Sequence, residues 1–371
     1  MSAAIDHVYF PSYRYVINHD IMNCTAEGVF GNHLYSGRAL GISEPSDIIQ
    51  LHPELKSLWN DIKNHYQRIK LSFCENVIWD LDLKQLGSHI SYQPSVFYFG
   101  PDECKYWGDH EWLNTVEYIN SKNNFMELAH QLGVDVPQTL CFDSVDDINA
   151  RTIQDFAYPC YLKAAVSVSG VGIYRCENKT AFSEALKKFA RNVPVQVQEE
   201  VITETFLNLQ YKITGNDVVR LAASEQILDG FAHQGNRVPA SHAPWESVDI
   251  MAHWLKDHGM KGIFAFDVGI VRTDNGFRFP AIECNPRYNG ATYPTIVAQK
   301  LNIPEWSAIN YSTRYRSLSQ IDLSGIEFNI NTGKGVIVVN WGTILAGKIG
   351  ILIAGSREYQ SEIEVELAAR L

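Results

Sequence analysis

The segment GIFAFDVGIVRTDNGFRFPAIECNPR (262–287) reads as two apolar arms, near 263–272 and 277–284, around Asp274, Asn275 and Gly276. Asn and Gly accept the positive φ that a tight hairpin turn requires. Asp267 closes GIFAFD on the first arm, and Glu283 and Asn285 lie two residues apart on the second. Residues i and i+2 of a strand project from one face, so Glu283 and Asn285 point together and pairing brings Asp267 alongside. Two carboxylates and an amide oxygen make a hard, oxygen-only donor set, suited to Mg²⁺ that shares its other positions with phosphate and water. Cys284, between two inward residues, faces the opposite side and reads as a core cysteine. Alone, D…E-x-N also fits a strand end followed by an Asn-Pro turn; the neighbouring segments decide between the two.

Upstream, PCYLKAAVSVSGVGIY (159–174) places Lys163 at the end of a strand, followed by Ser167, Ser169, Gly170 and Gly172 in a turn. Small residues let backbone N–H groups approach phosphate oxygens, and lysine supplies a point charge. No complete G-x-G-x-x-G accompanies them, so a dinucleotide fold is not indicated. Next comes VQVQEEVITETF (195–206), a short strand with acidic residues at its end. Such a segment offers backbone groups to a purine edge and a carboxylate to ribose hydroxyls; Glu199, Glu200, Val201 and Glu204 are the candidates.

The first 115 or so residues carry strand-like runs, HVYF (7–10), NVIWDL (76–81) and SVFYFG (95–100), around a helical stretch near 53–69. That alternation predicts an α/β domain with a partly parallel sheet. Helical periodicity from Trp112 to Gly133, with Pro137 beyond, predicts one helix with a regular stop. A helix over 180–191, strands near 195–201, 205–213 and 218–227, and a helix over 247–259 follow. The chain closes on the apolar runs VIVVNW and KIGILIA and a helix from about Arg357. The segment 342–349, GTILAGKI, nearly spells a Walker loop, but Ile349 cannot hold Mg²⁺ as Ser or Thr would, and another apolar run follows it.

Among 371 residues, 42 are acidic and 31 basic, a formal net charge of −11 that disfavours nucleic acid as a partner. Seven scattered cysteines without a C-x-x-C pair argue against a disulfide framework or zinc ribbon and fit a reducing compartment. With no signal-peptide pattern and no apolar run of membrane-spanning length, a soluble cytoplasmic protein without a membrane partner is expected.

The order of these parts resembles the ATP-grasp superfamily over about residues 120–300: a lysine helix, a Lys-Gly-rich hairpin, an acidic hinge, then Asp…Glu-x-Asn. On that resemblance the fold is mixed α/β. Lys122 in NSKNNFMELAHQLGVDVPQT matches the first nucleotide lysine and Lys163 the second. The hinge that holds adenine matches Gln198 to Val201, and the ribose acceptor matches Glu204 or, less clearly, Glu199 or Glu200. Asp267, Glu283 and Asn285 match the metal ligands, and ECNPR completes the family's E-x-N-x-R with Arg287 at the phosphate or acyl-phosphate. Gln226, His233, Asn236 and Arg237 in SEQILDGFAHQGNRVP (224–239) fall where acceptor pockets are lined, and Asn289, Gly290 and Tyr293 fall beside the acyl-phosphate.

The resemblance implies ATP and Mg²⁺ as cofactors and the joining of a small-molecule carboxylate to an amine, in place of a kinase or a non-catalytic nucleotide-binding regulator. It divides the chain into 1–115, 116–203 and 204–371. The first part looks like the pre-ATP-grasp domain of peptide-ligase-type members in natural-product pathways, such as the pheganomycin peptide ligase. One departure matters. Where D-alanine–D-alanine ligases carry an arginine two residues before the first metal aspartate, this chain has Ala265, which argues against that ligase. Members often form homodimers, a point no residue here decides.

Overall fold

The computed structural model describes residues 13–25, 29–89, 91–167, 172–229 and 232–371. The predicted strand HVYF (7–10) lies outside them. Strands β1 (Tyr15–Asn18), β2 (Ile48–Gln50), β3 (Val77–Ile78) and β4 (Gln93–Val96) form a parallel sheet in the order β3-β2-β1-β4. The helical stretch near 53–69 is a 3-10 turn, Pro53–Leu58, running into an α-helix, Trp59–Arg68. NVIWDL contributes only two strand residues, and SVFYFG leaves the sheet after Val96. Beyond that point Tyr98 bridges to Arg287, and Tyr288 N–H donates to the Phe97 carbonyl at 3.1 Å.

The periodic stretch 112–133 is two helices, His110–Asn120 and Lys122–Leu132. Ser121 has extended dihedrals (φ −77°, ψ 120°), and its hydroxyl accepts from Asn124 N–H at 3.5 Å. One serine therefore ends the first helix and caps the second. Gly133, at φ +69°, closes it as predicted. A second, antiparallel sheet has the order β5-β8-β6-β7, from β5 (Thr139–Phe142), β6 (Cys160–Ala164), β7 (Ile173–Cys176) and β8 (Val195–Glu199). Its helix is Lys179–Leu186, shorter than expected at the C-terminal end. Asn178 caps it from Thr180 and Ala181 N–H.

The largest sheet contains β9 (Phe206–Thr214), β10 (Asp217–Asp229), β11 (Ala232–Val238) and β12 (Gly262–Gly269). After a small ribbon at the hairpin tip, β13 (Val271–Thr273) with β14 (Gly276–Arg278), come β15 (Ala281–Asn285), β16 (Trp306–Ser312), β17 (Gly335–Asn340) and β18 (Lys348–Ala354). The order is β15-β12-β9-β10-β11-β16-β18-β17, antiparallel throughout. Among the elements not anticipated are strands β1, β2, β5, β11 and β16 and the helix Thr292–Lys300. GTILAGKI is a 3-10 turn, then Gly347 at φ +75°, then β18, so no helix follows it.

One core joins the ends of the chain: Ile17, Leu40, Ile49 and Tyr66 pack with Trp306, Ile337, Trp341 and Ile351, all buried. A second core joins the helices of 110–132 to β9, β12 and β15, and a third fills the middle sheet. Burying each large apolar side chain contributes about 1.5–3 kcal/mol.

His65 ties the first core together. Its Nε2 accepts from Val338 N–H at 3.0 Å, so Nδ1 carries the proton donated to Glu327 at 2.7 Å. Arg68 donates to both oxygens of the same carboxylate, at 2.8 and 2.7 Å. Burial lowers the His65 pKa, the Glu327 contact opposing it. Burial alone would raise Glu327, but the bonds from His65 and Arg68 outweigh it and hold the carboxyl at about 2. Both signs agree. A histidine depressed from its ordinary 6.5 costs stability as pH falls below that value, and a carboxyl depressed from 4.5 loses its contribution between 4.5 and about 2. Urea midpoints are expected to fall on acidification from neutrality. Glu327→Gln should cost about 1–3 kcal/mol at pH 7 and flatten the lower part of that decline.

Candidate active site

Strand register builds the carboxylate centre. Asp267 on β12 lies opposite Glu283 on β15 and opposite Asn208 on β9, and Ala265 lies opposite Asn285. Asn208 Nδ2 donates to Asp267 Oδ1 at 2.8 Å and Asn285 Nδ2 donates to Asp267 Oδ2 at 3.1 Å. The Asn285 amide oxygen is thereby left unspent beside two carboxylates. Lys122, at the first position of its helix, sets Nζ 2.9 Å from Glu283 Oε2.

The two carboxylates are shifted in opposite directions. Enclosure in the cleft, then the charge of Glu283, raises the Asp267 pKa against the pull of the two asparagines. Burial also acts to raise Glu283, but Lys122, Lys163 and Arg287 outweigh it and hold it low. Glu283 is thus a standing anion, while Asp267 is an acid whose ionisation calls for a further cation. Together with the free Asn285 oxygen, this is the arrangement a divalent ion of the Mg²⁺ type fits.

Lys163, 8% exposed, donates to Gln198 Oε1 at 2.6 Å. Burial, helped by the charge of Lys122, brings its pKa down to about 8 against the pull of Glu283. The loop it enters begins with Ser167 and ends at Gly172; Ser169 and Gly170 lie outside the described residues. Gly172 has φ +74°, its carbonyl accepts from Ala164 N–H at 2.9 Å, and a Cβ there would stand 3.3 Å from the Ala164 Cβ. Glycine is needed on both counts.

A cleft of about 890 Å³ runs from these residues to the hinge, across β10 and β11, and up to the 3-10 segment Asn32–Ile42. The structure separates the hinge candidates. Gln198 lines the cleft, but its amide is spent on Lys163 and, at 3.0 Å, on Thr139, so it positions the lysine instead of reading a base. Glu199 accepts from Gln138 N–H at 2.9 Å. Glu200 accepts two bonds from Arg175, at 2.5 and 2.9 Å, and one from Tyr161 at 3.1 Å. Those arginine bonds lower its pKa. Glu204 is exposed on the cleft wall near Val201, with no hydrogen bond or ion pair among the described residues.

Arg287 also faces the cleft without a side-chain hydrogen bond or ion pair among the described residues, and its charge acts on Asp267 and Glu283. In the segment 224–239, β10 pairs with β11: Gln226 lies opposite Asn236, and His233 Nε2 approaches Asn236 Oδ1 at 2.7 Å. Arg237 is a correction. Strand alternation sends Asn236 to the cleft side and Arg237 to the other face, off the cleft lining. Gly290 lies against His233, where a Cβ would come within 3.0 Å. Asn289 reaches Asn208 at 3.4 Å and accepts from Ala291 N–H at 2.9 Å, opening the helix Thr292–Lys300. Tyr293 is a core residue as much as a wall: 1% exposed, with its hydroxyl 2.8 Å from His19 Nδ1.

Cleft residues missed from the sequence include Arg38, Asn208 and Asn340. Asn208 carried a readable signal. In FLNLQYK, Leu207, Leu209 and Tyr211 take one face, so Asn208 and Gln210 are polar residues on the other. Arg38 and Asn340 had none, since they reach the cleft only through tertiary packing.

The opposed shifts give opposed stability effects. Asp267→Asn should raise the melting temperature of the ligand-free protein at pH 7, because the native state holds that charge unfavourably. Glu283→Gln strands two buried lysines and should cost about 3–5 kcal/mol, measured by urea unfolding. Adding Lys122→Met to Glu283→Gln should recover part of that loss.

No family model matches the sequence, and no curated protein matches it significantly. Solved structures share its fold. A biotin carboxylase–β,γ-ATP complex from Campylobacter jejuni superposes with a TM-score of 0.62 at 12% identity, covering 96% of this chain and 91% of that one. The N5-carboxyaminoimidazole synthetase of Staphylococcus aureus, complexed with ADP, gives 0.59 at 11% identity, with 97% of each chain covered. The biotin carboxylase domain of the Hydrogenobacter thermophilus 2-oxoglutarate carboxylase, with MgADP, ADP and bicarbonate, gives 0.57 at 13%, covering 96% and 89%. These likenesses run almost end to end, and the chain has the ATP-grasp fold.

Proposed function

We propose that this chain is an ADP-forming, ATP-dependent carboxylate–amine ligase. The observation that carries the reading is the convergence of Asp267, Glu283, Asn285 and Lys163 in one cleft, with Lys122 on Glu283, beside an Arg287 that has no ion pair among the described residues. Asp267, Glu283 and the Asn285 oxygen would hold Mg²⁺, which when bound would supply neutralisation of phosphate charge. Lys163 and Lys122 hold phosphate oxygens, the backbone of 199–201 meets the purine, and Glu204, the one hinge carboxylate free of partners among those considered, accepts from the ribose. The same reading divides the chain near residues 115 and 203.

In the first step a substrate carboxylate oxygen bonds to the γ-phosphorus as the bond to ADP breaks. An amine nitrogen then attacks the acyl carbon, phosphate leaves, and the nitrogen loses a proton. Arg287 orients the acyl-phosphate and stabilises the tetrahedral oxyanion. No protein nucleophile is needed; burial pushes the Cys284 thiol well up, consistent with a core residue. The acid is placed among amino acids or small peptides, in a cytoplasmic pathway of secondary metabolism. A second reading rests on the end-to-end likeness to structures named as carboxylases and N5-carboxyaminoimidazole synthetases: bicarbonate as the activated acid and carboxylation of an amine as the outcome.

Purified protein with Mg·ATP and pools of amino acids, short peptides and small acids should release ADP and phosphate together, only with a matching acid–amine pair. Release that requires bicarbonate and one amine would establish the second reading. ADP without phosphate would show a kinase, and AMP with pyrophosphate would exclude an acyl-phosphate. Binding of ATP without turnover across the pools would favour a regulator.

The Lys163 shift gives a pH test. Its cation is present below its lowered pKa of about 8 and lost above it, so affinity for Mg·ATP should weaken as pH rises through that value. Lys163→Met should bind more weakly, by on the order of tenfold or more, and lose that inflection.

A further inference from the structure

Arg38 stands on the cleft wall formed by the N-terminal part of the chain, in the segment Asn32–Ile42, and is 7% exposed. Three rings enclose its guanidinium, Tyr293 at 4.2 Å, Phe97 at 4.7 Å and Tyr35 at 5.0 Å from centroid to Cζ. Ring faces attract a cation but do not replace the hydrogen bonds it had in water. The Tyr293 hydroxyl lies within hydrogen-bonding reach of the guanidinium, while among the described residues its Nε and Nη2 are buried without a hydrogen-bond partner. Among the described residues no carboxylate forms an ion pair with it.

Among the described residues the groups packed against Arg38 are uncharged; the carboxylates Asp20 and Glu103 act on the same Cys24 thiol as Arg38 but form no ion pair with the arginine. His19 is buried and, with its pKa lowered by burial and then by Arg38, stays neutral. Its two nitrogens are taken by Tyr293 at 2.8 Å and Ser95 at 3.1 Å. Burial pushes the Cys24 thiol up to about 11, so it remains protonated. Arg38 and Arg287 both act on that thiol, which sets them in the same reach of the cleft. A buried cation with unmet donors is costly to hold, and an apolar residue would fill the cage more stably. Its presence is accounted for if an anion completes the site.

We propose that Arg38 anchors a carboxylate of the substrate other than the one activated beside Arg287. The acid thus belongs to a class bearing a second carboxylate: a dicarboxylic acid, or an amino acid or peptide joined through a different carboxyl. A carboxylate suits the site better than a phosphate. One negative charge balances one guanidinium, while a phosphate dianion would leave surplus charge among three rings. This inference rests on the ligase reading, which supplies Lys122, Lys163 and Arg287 with partners and leaves Arg38 a cleft cation without an ion-pair partner among the described residues.

The test compares full-length protein with Arg38→Met and Arg38→Lys by thermal unfolding, with and without Mg·AMP-PNP, in titrations of acetate, succinate, phosphate and chloride at constant ionic strength. The native protein should be stabilised saturably by acetate and succinate, by about 2 °C or more. Arg38→Met should unfold at a higher temperature than the native protein without anion and lose that response; Arg38→Lys should keep a weaker one. Binding of Mg·AMP-PNP should be unchanged in both. A lower melting temperature for Arg38→Met would show that Arg38 is a structural staple and overturn the proposal. So would an equal carboxylate response in that variant, no saturable response in the native protein, or a response to phosphate alone. Glu27 lies outside the described residues, and a stronger carboxylate response in Glu27→Gln would reveal an internal counter-ion and also overturn it. Failure to bind Mg·AMP-PNP would sink the ligase reading instead, while the anion titrations without nucleotide still decide Arg38.

Discussion

A carboxylate set into a cleft is held ionised by a cation beside it, and Glu283, whose side chain keeps 28% of its surface exposed, has that cation in the buried Lys122, 2.9 Å away. The surrounding architecture serves that contact. Lys122 reaches it because Ser121 breaks a long periodic stretch and starts a fresh helix there. Glu283 reaches it because β15 pairs at the edge of the large sheet, in the register that also sets Asp267 opposite. Lys163 enters from a different sheet and adds a second positive charge to the same anion. Three separate parts of the chain are thus constrained to one point, where an error of an ångström or two would leave a buried charge alone.

The walls of the cleft follow from how the ends of the chain are packed. A single core fuses the parallel sheet of the N-terminal residues with β16, β17 and β18. That fusion carries Phe97 to Tyr288 and Tyr98 to Arg287, so the strand end bearing the arginine is pinned to the opposite part of the molecule. It also brings Arg38 beneath Tyr293, residues separated by most of the chain. The cleft is accordingly a seam between the middle and large sheets, with polar residues from each, completed by the connecting segments that carry Glu204, Arg287 and Asn289.

This arrangement explains what could be read from residues alone. The hairpin of Asp267, Glu283 and Asn285 was legible because strand periodicity fixes which side chains share a face and one turn fixes the pairing. The Lys163 arm and the helix stop at Gly133 were legible for the same reason: their signals are local. Strand β11 was hidden because a long polar segment resembles a loop until its partner β16 is known. Arg237 was misplaced for that reason, since without the strand there is no alternation to turn it away from the cleft. The roles of Gln198 and Glu200 were hidden for another. Each looked available in the sequence, and only contact with Lys163 and Arg175 shows that it is already committed.

The opposite shifts of Asp267 and Glu283 also bear on how such a site remains usable between turnovers. Were both carboxylates paired with lysines, a divalent ion would have to displace an ion pair to enter, and its binding would be weakened by that cost. Were neither paired, two adjacent carboxylates would share a proton and lose half their charge. The structure divides the labour. Glu283 is kept ionised by Lys122 and orients the helix that carries it, while Asp267 is braced by two asparagine amides that fix its geometry without neutralising it. The amides lower the cost of its charge only partly, so the remainder favours whatever cation arrives. On the proposed ligase reading, a strained acid beside a settled one would suit reversible metal capture better than two equivalent carboxylates, and Asp267 would be the residue whose protonation most directly opposes loading of the site.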